Sequence, residues 1–280
     1  MAISKQSLIS RVNDLSKKKG VHQNIVLRSY FFDVFLKRLS VSKYSDDFVI
    51  KGGFLLSSRM GLDLRTTKDL DFLLRKIELE KTNIANVISE IICLDVGDNV
   101  SFELTGIDPI RNEDIYGGFR ISLLGRLENI KESFGIDIAV GDPVTPEVID
   151  YAYPRLFERS SLCIKSYNFE TILAEKVQTA LNRGITSSRS KDLYDIFAIC
   201  ENERGCIDVG LLKKAFINTC DYRKTVFSKD EALEIIGDLA GDATFRERWI
   251  LFQKHNKYAK EVSFEDAIGA LSSLVGTLYS

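Results

Sequence analysis

Little in the 280-residue chain suits it to an oxidising or thiolate-metal role. It has five cysteines, Cys93, Cys163, Cys200, Cys206 and Cys220, an odd number with no CxxC pair. Its two histidines, His22 and His255, stand far apart in sequence. The ligand spacing of a Cys/His zinc site is therefore missing. The cysteines are expected to be reduced thiols, mostly buried. Four prolines leave no room for long proline-rich linkers. No apolar run approaches the roughly 18–20 residues that span a bilayer. The first twenty residues are polar throughout and lack the apolar centre of a signal peptide, so a cytoplasmic location is expected. The formal net charge of −2 carries no basic excess of the kind that marks many nucleic-acid binders. Binding depends on where charges cluster, so RNA stays open as a partner. No internal repeat is present, which argues against a helical solenoid.

What the chain does have is ordinary globular composition, 45% hydrophobic and 28% charged, enough for one large domain or two of usual size. Apolar residues at three- and four-residue spacing predict helices over 5–19 and 22–39. A short buried strand over 47–50 runs into Gly52 and Gly53. A short helix over 54–60 then closes at Gly61. A second strand is expected over 70–75 and a helix over 79–93, followed by strands at 100–105, 119–127 and 134–140. Gly125 inside the middle one reads as a bulge. After Pro154 the texture becomes helical, over 169–183, 190–204, 208–219, 229–240, 242–256 and 263–278. Ser190, Ser228 and Ser263 are N-cap candidates. The fold class expected is α+β: a mixed β-sheet core with N-terminal helices, then an all-helical C-terminal region. The boundary falls at residue 150, giving domains 1–150 and 151–280.

The chemistry concentrates in residues 51–75, KGGFLLSSRMGLDLRTTKDLDFLLR. Asp69 and Asp71 flank Leu70, and on a strand residues i and i+2 share a face. Two adjacent carboxylates repel unless a cation lies between them. Carboxylates with open positions suit Mg²⁺, which keeps waters and takes phosphate oxygens as further ligands. Asp137, between Ile136 and Ile138, is a natural third acid and third metal ligand. Three acids can serve two metals, or one metal and a general base, in phosphoryl chemistry. Gly52 and Gly53 follow a strand and open a helix, where a backbone without Cβ can approach a polyphosphate and free N–H groups face the anion. Asp-x-Asp alone is commonly a solvated strand edge or turn, and Gly-Gly alone a turn. Their order here, strand, Gly-Gly, helix, strand, Asp-x-Asp, resembles that of polymerase-beta-type nucleotidyltransferases.

The ordered set KGG, RTTKDLDF, GIDIAVGDPVTP, TILAEKVQTALNRG and SRSKDLYDIF, over residues 45–200, resembles the AbiEii family of nucleotidyltransferase-like toxins. These belong to the type IV toxin–antitoxin and phage abortive-infection systems. The resemblance implies that Gly52, Gly53, Asp69 and Asp71 bind nucleotide phosphate and Mg²⁺. It places the family's helical lysine at Lys176 and its K-D-x-x-D helix at Lys191, Asp192 and Asp195. It further implies an NTP donor, an RNA acceptor (a tRNA 3′ end), and an antitoxin encoded nearby, without implying direct contact with it. Read physically, Lys176 can reach a triphosphate as a point charge. Asp192 and Asp195 share a helix face, where one could orient Lys176 or act as a general base. An acidic first helical turn favouring the dipole is the plainer reading of Asp192. Arg65, Arg183, Arg189 and Lys191 are candidate phosphate or RNA contacts; a solvated loop explains the last three equally well. Phe54 departs from the general nucleotidyltransferase signature, which has a serine after the glycine. Two other readings keep the fold: transfer of a nucleotide or phosphoryl group to a protein hydroxyl, or a non-catalytic nucleotide-binding module.

Overall fold

The computed structural model describes residues 3–110, 117–186 and 189–280. The chain divides into two compact units, Met1–Gly141 with Ile149–Ser166, and Asp142–Val148 with Tyr167–Ser280.

The first unit runs α1 (Lys5–Lys19), α2 (Gln23–Val41), β1 (Phe48–Lys51), α3 (Gly52–Met60), β2 (Asp69–Leu74) and α4 (Lys81–Ile92). It continues through β3 (Ser101–Ile110), β4 (Gly118–Leu127), β5 (Ile130–Ala139), β6 (Ile149–Pro154) and β7 (Ser161–Ser166). The strands form one mixed sheet in the order β3-β4-β5-β2-β1-β7-β6. Pairs β2–β5 and β1–β7 are parallel; the others are antiparallel.

Side chains alternate across the sheet, so each strand has an apolar and a polar side. Leu70, Phe72, Phe134, Ile136 and Ile138 are buried. Helix α2 packs on that side through aromatic rings: Phe32 meets Phe134 at 5.2 Å, Phe31 meets Phe102 at 6.3 Å and Phe35 meets Phe72 at 6.4 Å. These edge-on and tilted contacts suit the ring quadrupole. Helix α2 is buried over most of its length, with Asp33 and Arg38 among its buried residues. Asp69, Asp71 and Asp137 fall on the alternate positions, away from those rings.

Gly125 makes no bulge. It pairs in regular register with Phe102 and Glu132. Its lack of a side chain is explained by Phe31, whose Cε1 would lie 2.8 Å from a Cβ there. The irregularity in this part of the sheet lies instead between Leu104 and Gly106.

Strand β6 crosses the boundary expected at 150 and β7 lies beyond it, in a stretch without helical spacing. They belong to the sheet because β7 pairs with β1 and because Asp33 of α2 clamps the turn that follows β6. The Asp33 carboxylate accepts from Arg155 Nε at 2.8 Å and from the Leu156 N–H at 3.1 Å.

The second unit contains α5 (Phe169–Arg183), α6 (Ser190–Asn202), α7 (Val209–Tyr222), α8 (Lys229–Gly241), α9 (Ala243–His255) and α10 (Phe264–Leu278). Ser228 starts α8 with a full capping box, and Ser263 caps α10 through the Asp266 N–H. Ser190 is not an N-cap: it is the first residue inside α6, and buried. Trp249 and Tyr258 serve helix packing, against Phe252 at 5.6 Å and Tyr194 at 4.9 Å respectively. The segment 142–148 joins this unit through Thr145, whose carbonyl accepts from Asn168 at 2.7 Å.

All five cysteines are free thiols, but only Cys220 is buried; Cys93, Cys163 and Cys206 are exposed. They sit at a helix end, on a strand near the sheet edge and in a short turn, where no core is available to take them. Among the described residues no helix is long and apolar enough to cross a membrane.

Candidate functional site

In the sheet unit, pairing register lines up four charged residues on adjacent strands. Lys51 of β1 lies opposite Asp71 of β2, Asp71 opposite Asp137 of β5, and Asp137 opposite Arg120 of β4. Asp69 lies one step along β2, opposite Gly135. A Cβ at Gly135 would stand 2.7 Å from an Asp69 oxygen, so the glycine leaves room for that carboxylate.

The glycine turn abuts this row. Gly52 has φ of +65°, a left-handed conformation that costs a residue with a side chain. A Cβ there would also lie 2.7 Å from Asp71 Cγ. The backbone that opens α3 therefore rests directly against the second carboxylate of the Asp-x-Asp pair. Gly53 has a different neighbour: its Cβ would meet the Arg65 guanidinium at 3.0 Å and Thr67 Oγ1 at 3.2 Å. Arg65 is buried at this turn and donates to the Thr66 carbonyl.

Phe54 explains why no serine follows the glycines. Its ring is buried against Phe32 at 5.3 Å and Tyr153 at 5.7 Å, so this position anchors α3 to the core. Neither following serine takes its place: Ser57 is buried, and the Ser58 hydroxyl bonds the Leu55 carbonyl and the Tyr151 hydroxyl.

Arg120 is the residue that sequence reasoning missed. Its Nε and Nη2 each donate to Asp137 at 2.7 Å, and Nη2 lies 3.5 Å from Asp69 Oδ2. The two-pronged bond to Asp137 raises the guanidinium's already high pKa further, with Asp69 and Asp71 adding to it. A local signal for it exists. Leu127 pairs with Ile130 across a two-residue turn, and counting back from that turn sets Arg120 against Asp137.

As a donor set, Asp69 and Asp71 are two carboxylates on one face of a strand, half-exposed, and this fits a hard cation that keeps waters and phosphate oxygens. Asp137 has both oxygens on Arg120. Among the described residues no three His, Cys, Asp or Glu side chains are gathered closely enough to hold a metal ion.

The helical unit holds a second constellation. Lys176 Nζ on α5 lies 2.7 Å from both Asp192 Oδ1 and Asp195 Oδ2 on α6. The side chains are 12%, 4% and 0% exposed respectively. Burial by itself would raise the Asp192 carboxyl, but the Lys176 ammonium and Arg189 guanidinium outweigh it and hold it below the usual carboxylate range. Burial likewise opposes the Lys176 charge, and the two carboxylates overcome it and push its pKa up. Asp192 also pairs with Arg189 one turn before it. Lys191 is exposed on the first turn of α6. The loop between Arg183 and Arg189 includes residues 187 and 188, which lie outside the described residues.

Comparison with solved structures places the fold. A Helicobacter pylori protein, JHP933, matches with a TM-score of 0.54 and 15% identity over 92% of this chain and 93% of its own. A second Helicobacter pylori structure, solved as a candidate nucleotidyltransferase, matches with a TM-score of 0.49 and 16% identity over 92% and 96%. A search of curated proteins finds no match. The sequence profile described as "Nucleotidyl transferase AbiEii toxin, Type IV TA system" matches residues 34–270, which take in the glycine turn, the charged row and the Lys176 cluster. The chain belongs to that family of nucleotidyltransferases.

Proposed function

We propose that the protein is a Mg²⁺-dependent toxin that transfers a nucleotide from an NTP to the 3′ hydroxyl of an RNA, tRNA being the acceptor that the family resemblance favours. The observation that carries this reading is the contact of the left-handed Gly52 with Asp71. It puts backbone able to approach phosphate beside carboxylates able to hold a cation.

In this reading Asp69 and Asp71 hold Mg²⁺, and Asp137 completes the acidic row. Bound Mg²⁺ would offset phosphate charge and acidify the acceptor hydroxyl. The N–H groups that open α3 at Gly52 and Gly53 cradle phosphate oxygens. The acceptor oxygen attacks the α-phosphorus, the bond to the bridging oxygen breaks and pyrophosphate leaves; the acceptor's proton passes to a carboxylate of the row. Within the helical unit, Asp192 and Asp195 hold Lys176 charged and oriented, which makes it a candidate phosphate contact. Arg65 lies behind the glycine turn, where it supports Gly53, and exposed Lys191 is a candidate phosphate contact. A cognate antitoxin restrains the activity in the cell, as the family implies.

The test supplies purified protein with Mg²⁺, tRNA and NTPs labelled at the α- or γ-phosphate. Label from the α position is expected on tRNA, and Asp71→Ala is expected to leave tRNA unlabelled while remaining folded. Equal labelling by that variant refutes the site. Transfer of the γ label would make the enzyme a phosphoryl transferase, and label on protein alone would refute the RNA acceptor.

A further inference from the structure

We propose that Arg120 is a resident counter-ion that competes with the divalent cation for Asp69 and Asp137 and must release them when the cation binds. This inference rests on the metal-dependent reading above and deepens it.

One guanidinium spans two carboxylates on different strands, at 2.7 Å from Asp137 and 3.5 Å from Asp69. That is the seat a cation shared by those acids would take. The strand register keeps Arg120 opposite Asp137, so it is always within reach. Its side chain is 50% exposed, so it can swing into water without opening the core. Charge balance gives the reason for release. Asp69, Asp71 and Asp137 face Lys51 and Arg120, which leaves the row one negative charge. Adding a divalent ion beside both basic residues would reverse that sign, and like charges at such distances repel. Departure of Arg120 relieves the repulsion and opens both oxygens of Asp137.

A purely structural salt bridge on this face makes a different prediction, because its loss would cost stability without touching cation affinity. The experiment titrates Mn²⁺, without nucleotide, into the intact chain, Arg120→Gln and Arg120→Lys by calorimetry. Thermal unfolding of each is followed with and without Mn²⁺. Arg120→Gln is expected to bind Mn²⁺ about tenfold more tightly, the equivalent of one lost competing ion pair. It is also expected to melt below the wild type without Mn²⁺ and to recover when Mn²⁺ is added. Arg120→Lys keeps the charge but not the fork, so its affinity should fall between the two. Unchanged or weaker binding by Arg120→Gln, with wild-type binding intact, overturns the competition while leaving the metal-dependent reading standing. Absence of Mn²⁺ binding in all three proteins overturns both. If Arg120→Gln does not fold, Arg120→Lys decides: binding tighter than wild type supports the proposal, and equal binding overturns it.

Discussion

Replacing Lys176 by methionine keeps much of the side chain's volume and removes the ammonium between Asp192 and Asp195. Both carboxylates are buried, and each accepts a bond from that ammonium at 2.7 Å. Removing one partner of a buried pair typically costs about 3–5 kcal/mol, because the remaining charge stays out of water. A ceiling applies here. One carboxylate can take up a proton, and with an unfolded pKa of about 3.9 that costs about 4 kcal/mol at pH 7, at about 1.4 kcal/mol per pH unit. The Arg189 contact still serves Asp192, so a single protonation suffices. The expected loss is therefore about 3–4 kcal/mol at neutral pH.

The sign with pH follows from the protons bound. In the wild type Asp192 is shifted down and Lys176 up. Their contribution to stability is complete above the unfolded aspartate value and below the unfolded lysine value. It is lost only as pH falls through the lowered Asp192 value or rises through the raised Lys176 value. Between pH 5.5 and 7.5, about the middle of that window, the wild-type cluster should show no pH dependence. The folded variant binds one proton more than its unfolded state. Its deficit should then shrink by about 1.4 kcal/mol for each unit of pH lowered from 7.5 towards 5.5. Urea unfolding of both proteins at three pH values measures this directly. A deficit that does not change with pH, or one under about 1 kcal/mol, refutes the account of a charged buried cluster.

Three further substitutions test other parts. Gly52→Ala forces a side chain into a left-handed conformation and against Asp71, so about 1–2 kcal/mol of stability should go, with a larger loss in tRNA labelling. Wild-type labelling by that variant would show that the turn does not touch the chemistry. Phe54→Ser restores the residue of the general signature but empties a site between Phe32 and Tyr153. It should lose about 3–5 kcal/mol in chemical denaturation and gain no NTP affinity. Gly125→Ala should cost about 1–3 kcal/mol by overpacking Phe31, read in the same denaturation assay, with labelling retained.

The helices were legible because their signals are local. Apolar spacing fixed 5–19 to the residue, and Ser228 and Ser263 act as caps where the sequence places them. Strands β6 and β7 were not, because their signal is weak. Asp150 and Pro154 interrupt the first, and Pro154 is tolerated at the end of an edge strand. The same division runs through the site. Period-two alternation put Asp69 and Asp71 on one face, a statement about neighbours in sequence. Asp137 facing Asp71 depends on the parallel β2–β5 pair, whose register is set by packing across more than sixty residues of chain. Lys176 meeting Asp192 and Asp195 is a contact between two helices; the sequence offers one of the two acids as a partner that orients Lys176, and the structure has both accept from it. Arg120 lay within reach of a local argument, since a two-residue hairpin fixes its partner.

The division of the sheet into a phenyl-packed side and an acidic side also bears on how the strands find their register. Shifting β2 by one residue against its neighbours would turn Asp69 and Asp71 towards the rings of α2 and expose Leu70 and Phe72 to water. Two unpaired carboxylates inside an aromatic layer would be prohibitive. The acids of this row thus also act as proofreaders of assembly. A variant that neutralises them would lose part of the penalty that keeps mispaired sheets rare.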